Sequence, residues 1–319
     1  MKEYSSCRLC PRNCGIDRNS TTGYCREKSS LHVARASLHM WEEPCISGSN
    51  GSGTVFFSGC NMGCVFCQNR AISRGEAGKT ITWERLSEIF FELQDLGANN
   101  INLVTGDMFI PTIVRAIDSA RQQGIKIPFL FNTSSYLNVD SVKMLDGLID
   151  IYLPDFKYIR EEDSVRYSNA PGYPNAAKDA IQEMVHQQPD CFFSDERKAK
   201  RKASENDRLS TPVYQGNQKI IQKGVIVRHL LMPGMLIQAK LIVKYLHEHY
   251  GDNIYLSLMS QYTTVDGLSS FPEIDRKVTN AEYKSLVEYA TGIGVENGFV
   301  QEGEAAGESF IPEFDLRGV

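Results

Sequence analysis

The chain has no run long and apolar enough to cross a membrane. Its most apolar region, "GVIVRHLLMPGMLIQAKLIVKYL" from residue 224, is interrupted by Arg228, His229, Pro233, Gly234 and Lys240. The opening "MKEYSSCRLC" has no apolar stretch that would serve as a secretory signal, so a cytoplasmic location is expected, with no membrane as partner. An excess of basic charge is missing as well. With 34 Lys and Arg against 39 Asp and Glu, the net charge of −5 gives no electrostatic footprint for nucleic acid, which is set aside as a partner. The basic run "ERKAKRK" (196–202) reads as solvated loop. No internal repeat stands out. A disulfide framework is disfavoured too, because the cytoplasm keeps thiols reduced and the nine cysteines are an odd number.

What is present is an ordinary core and an unusual cysteine distribution. Hydrophobic residues at 42% and charged ones at 23% suit a globular chain able to bury a sizeable core. At 319 residues it fits one large domain with a small appendage. Eight of the nine cysteines lie within the first 67 residues, and clustered reduced cysteines read as metal ligands. Residues 1–45 form a cysteine-rich segment with little periodicity, and 46–319 the main domain. Within it, 189–222 is a polar, Lys-, Ser- and Asn-rich insertion expected to be a flexible surface loop, with partner docking as the alternative.

From Gly53 onward, short apolar runs alternate with amphipathic ones. The runs "GTVFFSG" (53–59), "NINLVTG" (100–106), "IPFLFNT" (127–133), "IDIYLPDF" (149–156), "GVIVRHLL" (224–231) and "IYLSLMS" (254–260) are nearly continuously apolar, as strands buried on both faces of a parallel sheet would be. Helical patterns separate and follow them: "TWERLSEIFFELQDLG", "MFIPTIVRAIDSARQQG", "VDSVKMLDGL", "PNAAKDAIQEMVHQQ", "LIQAKLIVKYLHEHYG" and "TNAEYKSLVEYATGIG". The alternation predicts an α/β fold of βαβ units. Periodicity does not say whether the sheet closes.

"GCNMGCVFCQN" (59–69) follows the first of these strands, at the end where parallel sheets bind ligands. Its three cysteines, Cys60, Cys64 and Cys67, are one short of a closed zinc site, and no second CxxC pair follows. A redox pair formed by Cys64 and Cys67 leaves Cys60 unexplained. A cubane iron–sulfur cluster has four iron corners, so three thiolates leave one corner open to a ligand that is not protein. Gly59 and Gly63 permit the tight loop this requires.

CxxxCxΦC, here Cys60-Asn-Met-Gly-Cys64-Val-Phe66-Cys67, resembles the signature of radical S-adenosylmethionine (SAM) enzymes. With "HMWEEPCISGSNGSGTVFFSGCNMGCVFCQN", "FNTSSY", "IYLPDFKY", "VIVRHLLMPG" and "LSLMSQY", the chain is similar to the branch related to pyruvate formate-lyase activating enzymes, and more narrowly to members with a cysteine-rich N-terminus. The resemblance implies a partial (β/α)6 barrel open on one side. It implies a 4Fe-4S cluster on Cys60, Cys64 and Cys67, with SAM on the open iron, cleaved reductively to a 5′-deoxyadenosyl radical that abstracts a hydrogen atom. An electron donor such as flavodoxin or ferredoxin is implied too.

By the same resemblance, Phe66 lines the adenine site. "VTGDMF" stands where a Gly-Gly-Glu stretch contacts the methionine ammonium of SAM, which would give that place to Gly106 and Asp107; a helix N-cap is the bland alternative for Asp107. Asn132 and Thr133 match an acid and a threonine near the SAM carboxylate, where activating enzymes can hold a monovalent cation; Asn132 weakens the charge there. Asp155 and Lys157 match a segment facing the cluster and the incoming peptide, with a simple ion pair as the alternative. Arg228 would meet the SAM carboxylate, or else a buried structural anion. Gln261 aligns with a residue that contacts adenosine. His229 is expected to be structural.

Cys7, Cys10, Cys14 and Cys25 form a C-x2-C-x3-C-x10-C array that would make a closed site in a segment too small for a core of its own. Tetrahedral sulfur selects zinc or an iron–sulfur centre, and spacing leaves both open. Cys45 and Cys191 fit neither centre. Three functions follow. The first is an activase that takes hydrogen from a glycine of a partner protein. The second is a radical SAM enzyme acting on another peptide or a small molecule. The third is a non-catalytic iron–sulfur or zinc protein, which predicts no SAM binding and which the strand-end motifs disfavour.

Overall fold

The computed structural model describes residues 1–197, 219–300 and 312–319. Its elements are, in chain order, α1 (Lys2–Ser5), β1 (Leu31–His39), α2 (Pro44–Ser47), β2 (Ser52–Phe57), α3 (Arg70–Ser73), β3 (Lys79–Ile81), α4 (Trp83–Asp95), β4 (Ile101–Val104), α5 (Ile110–Gln122), β5 (Phe129–Thr133), α6 (Val139–Lys143), β6 (Ile151–Pro154), α7 (Glu161–Ser168), α8 (Tyr173–Gln187), β7 (Phe192–Asp195), β8 (Lys219–Leu230), α9 (Leu236–Tyr250), β9 (Tyr255–Met259), α10 (Asn280–Gly292) and β10 (Gly298–Val300).

The six apolar runs become β2, β4, β5, β6, β8 and β9, each pairing in parallel with the next. Every residue of β2, β4, β5 and β6 is buried, which is why these strands read as unbroken apolar stretches. The sheet runs β10-β9-β8-β6-β5-β4-β2-β1-β3 and ends on β10 and β3 without closing. It is a partial (β/α)6 barrel. Helices cover its outer face: α4 buries Leu86, Ile89, Phe90 and Leu93, and α5 buries Ile113, Ala116, Ile117 and Ala120, both at helical spacing. Thr82 caps α4 by accepting from the Arg85 amide at 3.2 Å. Thr279 and Glu282 form a capping box on α10.

Three features depart from the sequence expectations. Residues 31–39, assigned above to the cysteine-rich segment, form β1, which pairs antiparallel with both β2 and β3. The polar insertion 189–222 begins and ends in paired strands, since β7 lies antiparallel to the first half of β8; residues 198–218, including most of "ERKAKRK", lie outside the described residues. Helix α7, a short run of mostly polar residues, was not anticipated.

The tail 312–319 docks on the stretch of β1 that β3 leaves uncovered. The Leu316 amide donates to Ala34 O at 3.1 Å and the Ala36 amide to Arg317 O at 2.8 Å, while Arg35 pairs with Asp315 at 2.7 Å.

Leu103 sits in β4 with no exposure, inside the core between sheet and helices. Leu103→Ala is expected to cost about 2–5 kcal/mol, read from the urea midpoint at unchanged m-value. Ile237→Ala, at a position 73% exposed on α9, should stay within about 0.5 kcal/mol of the parent.

Candidate active site

Strand β2 ends at Phe57, and two residues later Gly59 turns the chain at φ +83°. A Cβ there would stand 2.8 Å from the Cys25 carbonyl oxygen, so both the torsion and the space demand glycine. The loop that follows carries Cys60, Cys64 and Cys67 and has little regular structure of its own. Neighbours hold it: the Gly63 amide donates to Ser168 O at 2.8 Å, the Val65 amide to Tyr167 O at 2.9 Å, and Asn61 Nδ2 to Tyr136 O at 2.7 Å. The sulfurs receive polar contacts too, from the Met62 amide to Cys60 Sγ at 3.4 Å and from Ser168 Oγ to Cys64 Sγ at 2.9 Å. Burial raises the Cys60 thiol well above its ordinary value, and pushes Cys64 up to about 11 despite the opposing charge of Lys157. A metal would have to displace those protons.

All three cysteines line one cavity of about 320 Å³ at the carboxyl ends of the parallel strands, within the size range of small-molecule sites. Across it lies a charged cluster. Arg228 on β8 donates from Nε to Asp155 Oδ1 at 2.8 Å, from Nη1 to Glu42 Oε2 at 3.3 Å and from Nη2 to Asn132 Oδ1 at 2.6 Å. Lys157 Nζ reaches Asp155 Oδ2 at 2.6 Å. Asn102 Nδ2 donates to Glu42 Oε1 at 3.0 Å, and Ser257 Oγ to Glu43 Oε1 at 2.8 Å. Burial raises the carboxyls of Glu42 and Glu43, with Arg228 opposing it. Burial also works against the charge of Asp155, but Arg228 and Lys157 outweigh it and hold that carboxyl below its usual value. Three carboxylates face two cations here. The remaining negative charge calls for a proton or a cationic ligand, and Glu43 Oε2 is buried with no hydrogen-bond partner.

Most of the expected site residues meet at this cavity. Phe66, Asn132, Thr133, Asp155, Lys157, Arg228 and Gln261 line it with the three cysteines, and the Phe66 ring lies 5.8 Å from that of Tyr262. Thr105 lines it too, held at φ +58°, a strained conformation for a β-branched residue. Gly106 and Asp107 do not. A Cβ on Gly106 would run into Ile113 and Phe57, and Asp107 is buried behind the wall, accepting from Thr133 Oγ1 at 2.5 Å and facing the cysteines of the N-terminal segment. His229 is buried with Nδ1 2.8 Å from Phe156 O, and burial lowers it to about 4. Cys45 and Cys191 lie outside both cysteine groups, Cys45 buried and Cys191 half-buried.

Sequence reasoning passed over Glu42 and Glu43. The signal was two adjacent acids in "HMWEEPC", together with Asn102 and Ser257, polar side chains inside otherwise apolar strands that must find partners when buried. The donor set fits the implied groups: soft sulfur ligands in a short loop for an iron–sulfur cluster, and a cavity with an orphaned carboxylate oxygen behind its charged wall for a cationic cofactor.

Burial pushes the Asp107 carboxyl up to about 6, with Oδ2 unpartnered. The folded state therefore binds a proton that the unfolded chain releases near pH 4, so stability should fall as pH rises from about 4 to 6, on the order of 2–3 kcal/mol. Asp107→Asn should flatten that slope in urea titrations. Arg228→Met should destabilise by about 3–5 kcal/mol by stranding Asp155 and Glu42, and adding Glu42→Gln should recover part of the loss.

Residues 54–193 match the family model described as the radical SAM superfamily. An uncharacterized protein of Methanocaldococcus jannaschii is 27% identical over 90% of this chain and 75% of its own length. The 7-carboxy-7-deazaguanine synthase of Bacillus subtilis is 32% identical over 81 residues, 24% of this chain and 33% of that protein. Among solved structures, Streptococcus suis SuiB bound to precursor peptide SuiA is similar at 12% identity and a TM-score of 0.47, over 77% of this chain and 47% of that one, so the chain spans about half of its length. The stretch that matches the radical SAM superfamily model contains Cys60, Cys64, Cys67, Asn132, Asp155 and Lys157, which share one cavity.

Proposed function

We propose that Cys60, Cys64 and Cys67 hold a 4Fe-4S cluster, that SAM occupies the adjoining cavity, and that the chain removes a hydrogen atom from a glycine of a partner protein. One observation carries this: three thiols of a single loop and a charged cluster gathered from several strand ends face the same 320 Å³ space. When bound, the cluster and SAM together supply reductive cleavage of a sulfonium to a 5′-deoxyadenosyl radical.

The chain's own residues would bind and orient. Three of the five N–H donors of Arg228 are used by Asp155, Glu42 and Asn132, which leaves two for the carboxylate of a bound amino acid. Asp155 and Glu42 fix the plane of that guanidinium. Phe66, Tyr262 and Gln261 form the wall suited to an adenine ring. Lys157 raises the local positive potential beside Cys64 and favours its thiolate. Asn132 gives its carbonyl to Arg228, so a guanidinium supplies positive charge where the resemblance allows a metal cation. A substrate loop would enter between the sheet ends at β10 and β3, and a flavodoxin or ferredoxin would supply the electron.

A small-molecule substrate is the second reading, favoured by the 81-residue similarity to a deazaguanine synthase. Anaerobic reconstitution with iron and sulfide, followed by reduction and addition of SAM, should yield 5′-deoxyadenosine, and Cys64→Ala should reduce the yield at least a hundredfold. No cleavage by a fully loaded sample would remove both readings. Cleavage accompanied by the doublet electron paramagnetic resonance signal of a glycyl radical on an added partner supports the activase. Cleavage without that signal on any glycyl-radical protein of the host favours the small molecule.

A further inference from the structure

Cys7, Cys10, Cys14 and Cys25 surround a second, much smaller cavity of about 20 Å³. The first three lie on a tight hairpin, in which the Cys7 amide donates to Ile16 O and the Gly15 amide to Cys7 O, both at 2.9 Å. Cys14 and Cys25 converge from its two sides: a Cβ on Gly23 would stand 3.4 Å from Cys25 Sγ and 3.9 Å from Cys14 Sγ.

Arg18 lines the same cavity and is 1% exposed. Its guanidinium donates to the carbonyl oxygens of Glu27, Lys28 and Met108 at 3.2, 2.6 and 2.6 Å, and Nη1 stands 3.9 Å from Cys7 Sγ. Those oxygens are neutral, and among the described residues no carboxylate forms an ion pair with it. A buried guanidinium needs negative charge nearby; the carboxylate of Glu27 acts on it and Asp107 lines the same cavity, while the thiols are the groups there that a metal would turn anionic.

We propose that these four cysteines bind one divalent ion of the zinc class as a tetrathiolate, with Arg18 as the buried counter-ion, and that this centre braces the loop carrying Cys60. Four thiolates on a divalent ion carry two net negative charges, which Arg18 partly offsets. A space of this size suits a single ion better than a four-iron cubane. Four S–H protons leave to solvent as four sulfur–metal bonds form, with no change of oxidation state. Among the described residues no three such side chains stand at the spacing of a bound ion, so binding would require the sulfurs to close in. The bracing follows from contacts on both sides of Cys25. The Cys25 carbonyl abuts Gly59, and the Tyr24 ring stacks 3.6 Å from the guanidinium of Arg12, whose Nε donates to Asn61 O at 3.0 Å. The site is independent of the reaction proposed above, and its test reads metal rather than turnover.

The full chain, purified without air, should contain about one zinc per chain in addition to cluster iron. Cobalt(II) added to zinc-stripped protein should give the absorption of a tetrahedral thiolate complex, lost in Cys10→Ser and kept in Cys64→Ser. Arg18→Gln should weaken zinc binding about tenfold in chelator competition, with Arg18→Lys restoring most of it. About eight irons per chain, with four of them lost in Cys10→Ser, would overturn the proposal, as would a zinc content that Cys10→Ser leaves unchanged. If Cys10→Ser does not fold, the cobalt spectrum of the unaltered chain decides alone, and absence of thiolate bands overturns the site.

Discussion

Arg228 enters the barrel on β8 and divides its guanidinium among Asp155, Glu42 and Asn132. A planar, permanently charged fork taken out of water tolerates little error in its partners, because each donor left unmet costs free energy in a low-dielectric site. Four chain segments are thereby held together: the carboxyl ends of β5, β6 and β8 and the turn between β1 and α2. Lys157 and Asn102 extend the arrangement by holding the second oxygens of Asp155 and Glu42. The floor of the cavity is thus rigid and charged before any ligand arrives, which is the preorganisation that binding a zwitterionic cofactor needs.

The opposite wall is built on another principle. The cysteine loop gets its shape from outside itself, through the end of α7, the carbonyl of Tyr136 and the chain around Cys25. A loop proposed to wrap an inorganic cluster, and without helix or strand ladders of its own, takes its precision from what surrounds it. This gives the N-terminal segment its place in the fold. It packs behind the loop, away from the cavity, and Asp107 is turned toward it.

The barrel strands were legible because burial on both faces leaves a continuous apolar run, and the cysteine loop because its three cysteines are neighbours in sequence. Strand β1 was hidden by its composition. "LHVARASLH" carries two histidines, an arginine and a serine, and its partners for Arg35 lie almost at the other end of the chain. Glu42 was hidden by distance, since Arg228 is 186 positions away and no local pattern reports on such a pair. Asp107 shows the limit of reading by motif position. It stands where the resemblance places a ligand, yet Thr133, itself part of that resemblance, captures its carboxylate and keeps it behind the wall. Cavity membership was decided by side-chain direction, which one-dimensional spacing does not carry.

A sheet that stops short of closing leaves two borders, and unpaired strand borders tend to recruit another chain. Here the main path ends on β3 and β10, three residues each, β7 adds a four-residue edge beside β8, and the tail 312–319 occupies the part of β1 that β3 does not reach. Among the described residues, only short ladders remain at these borders for another chain to extend. An architecture that keeps its doorway ajar can therefore do so without becoming sticky.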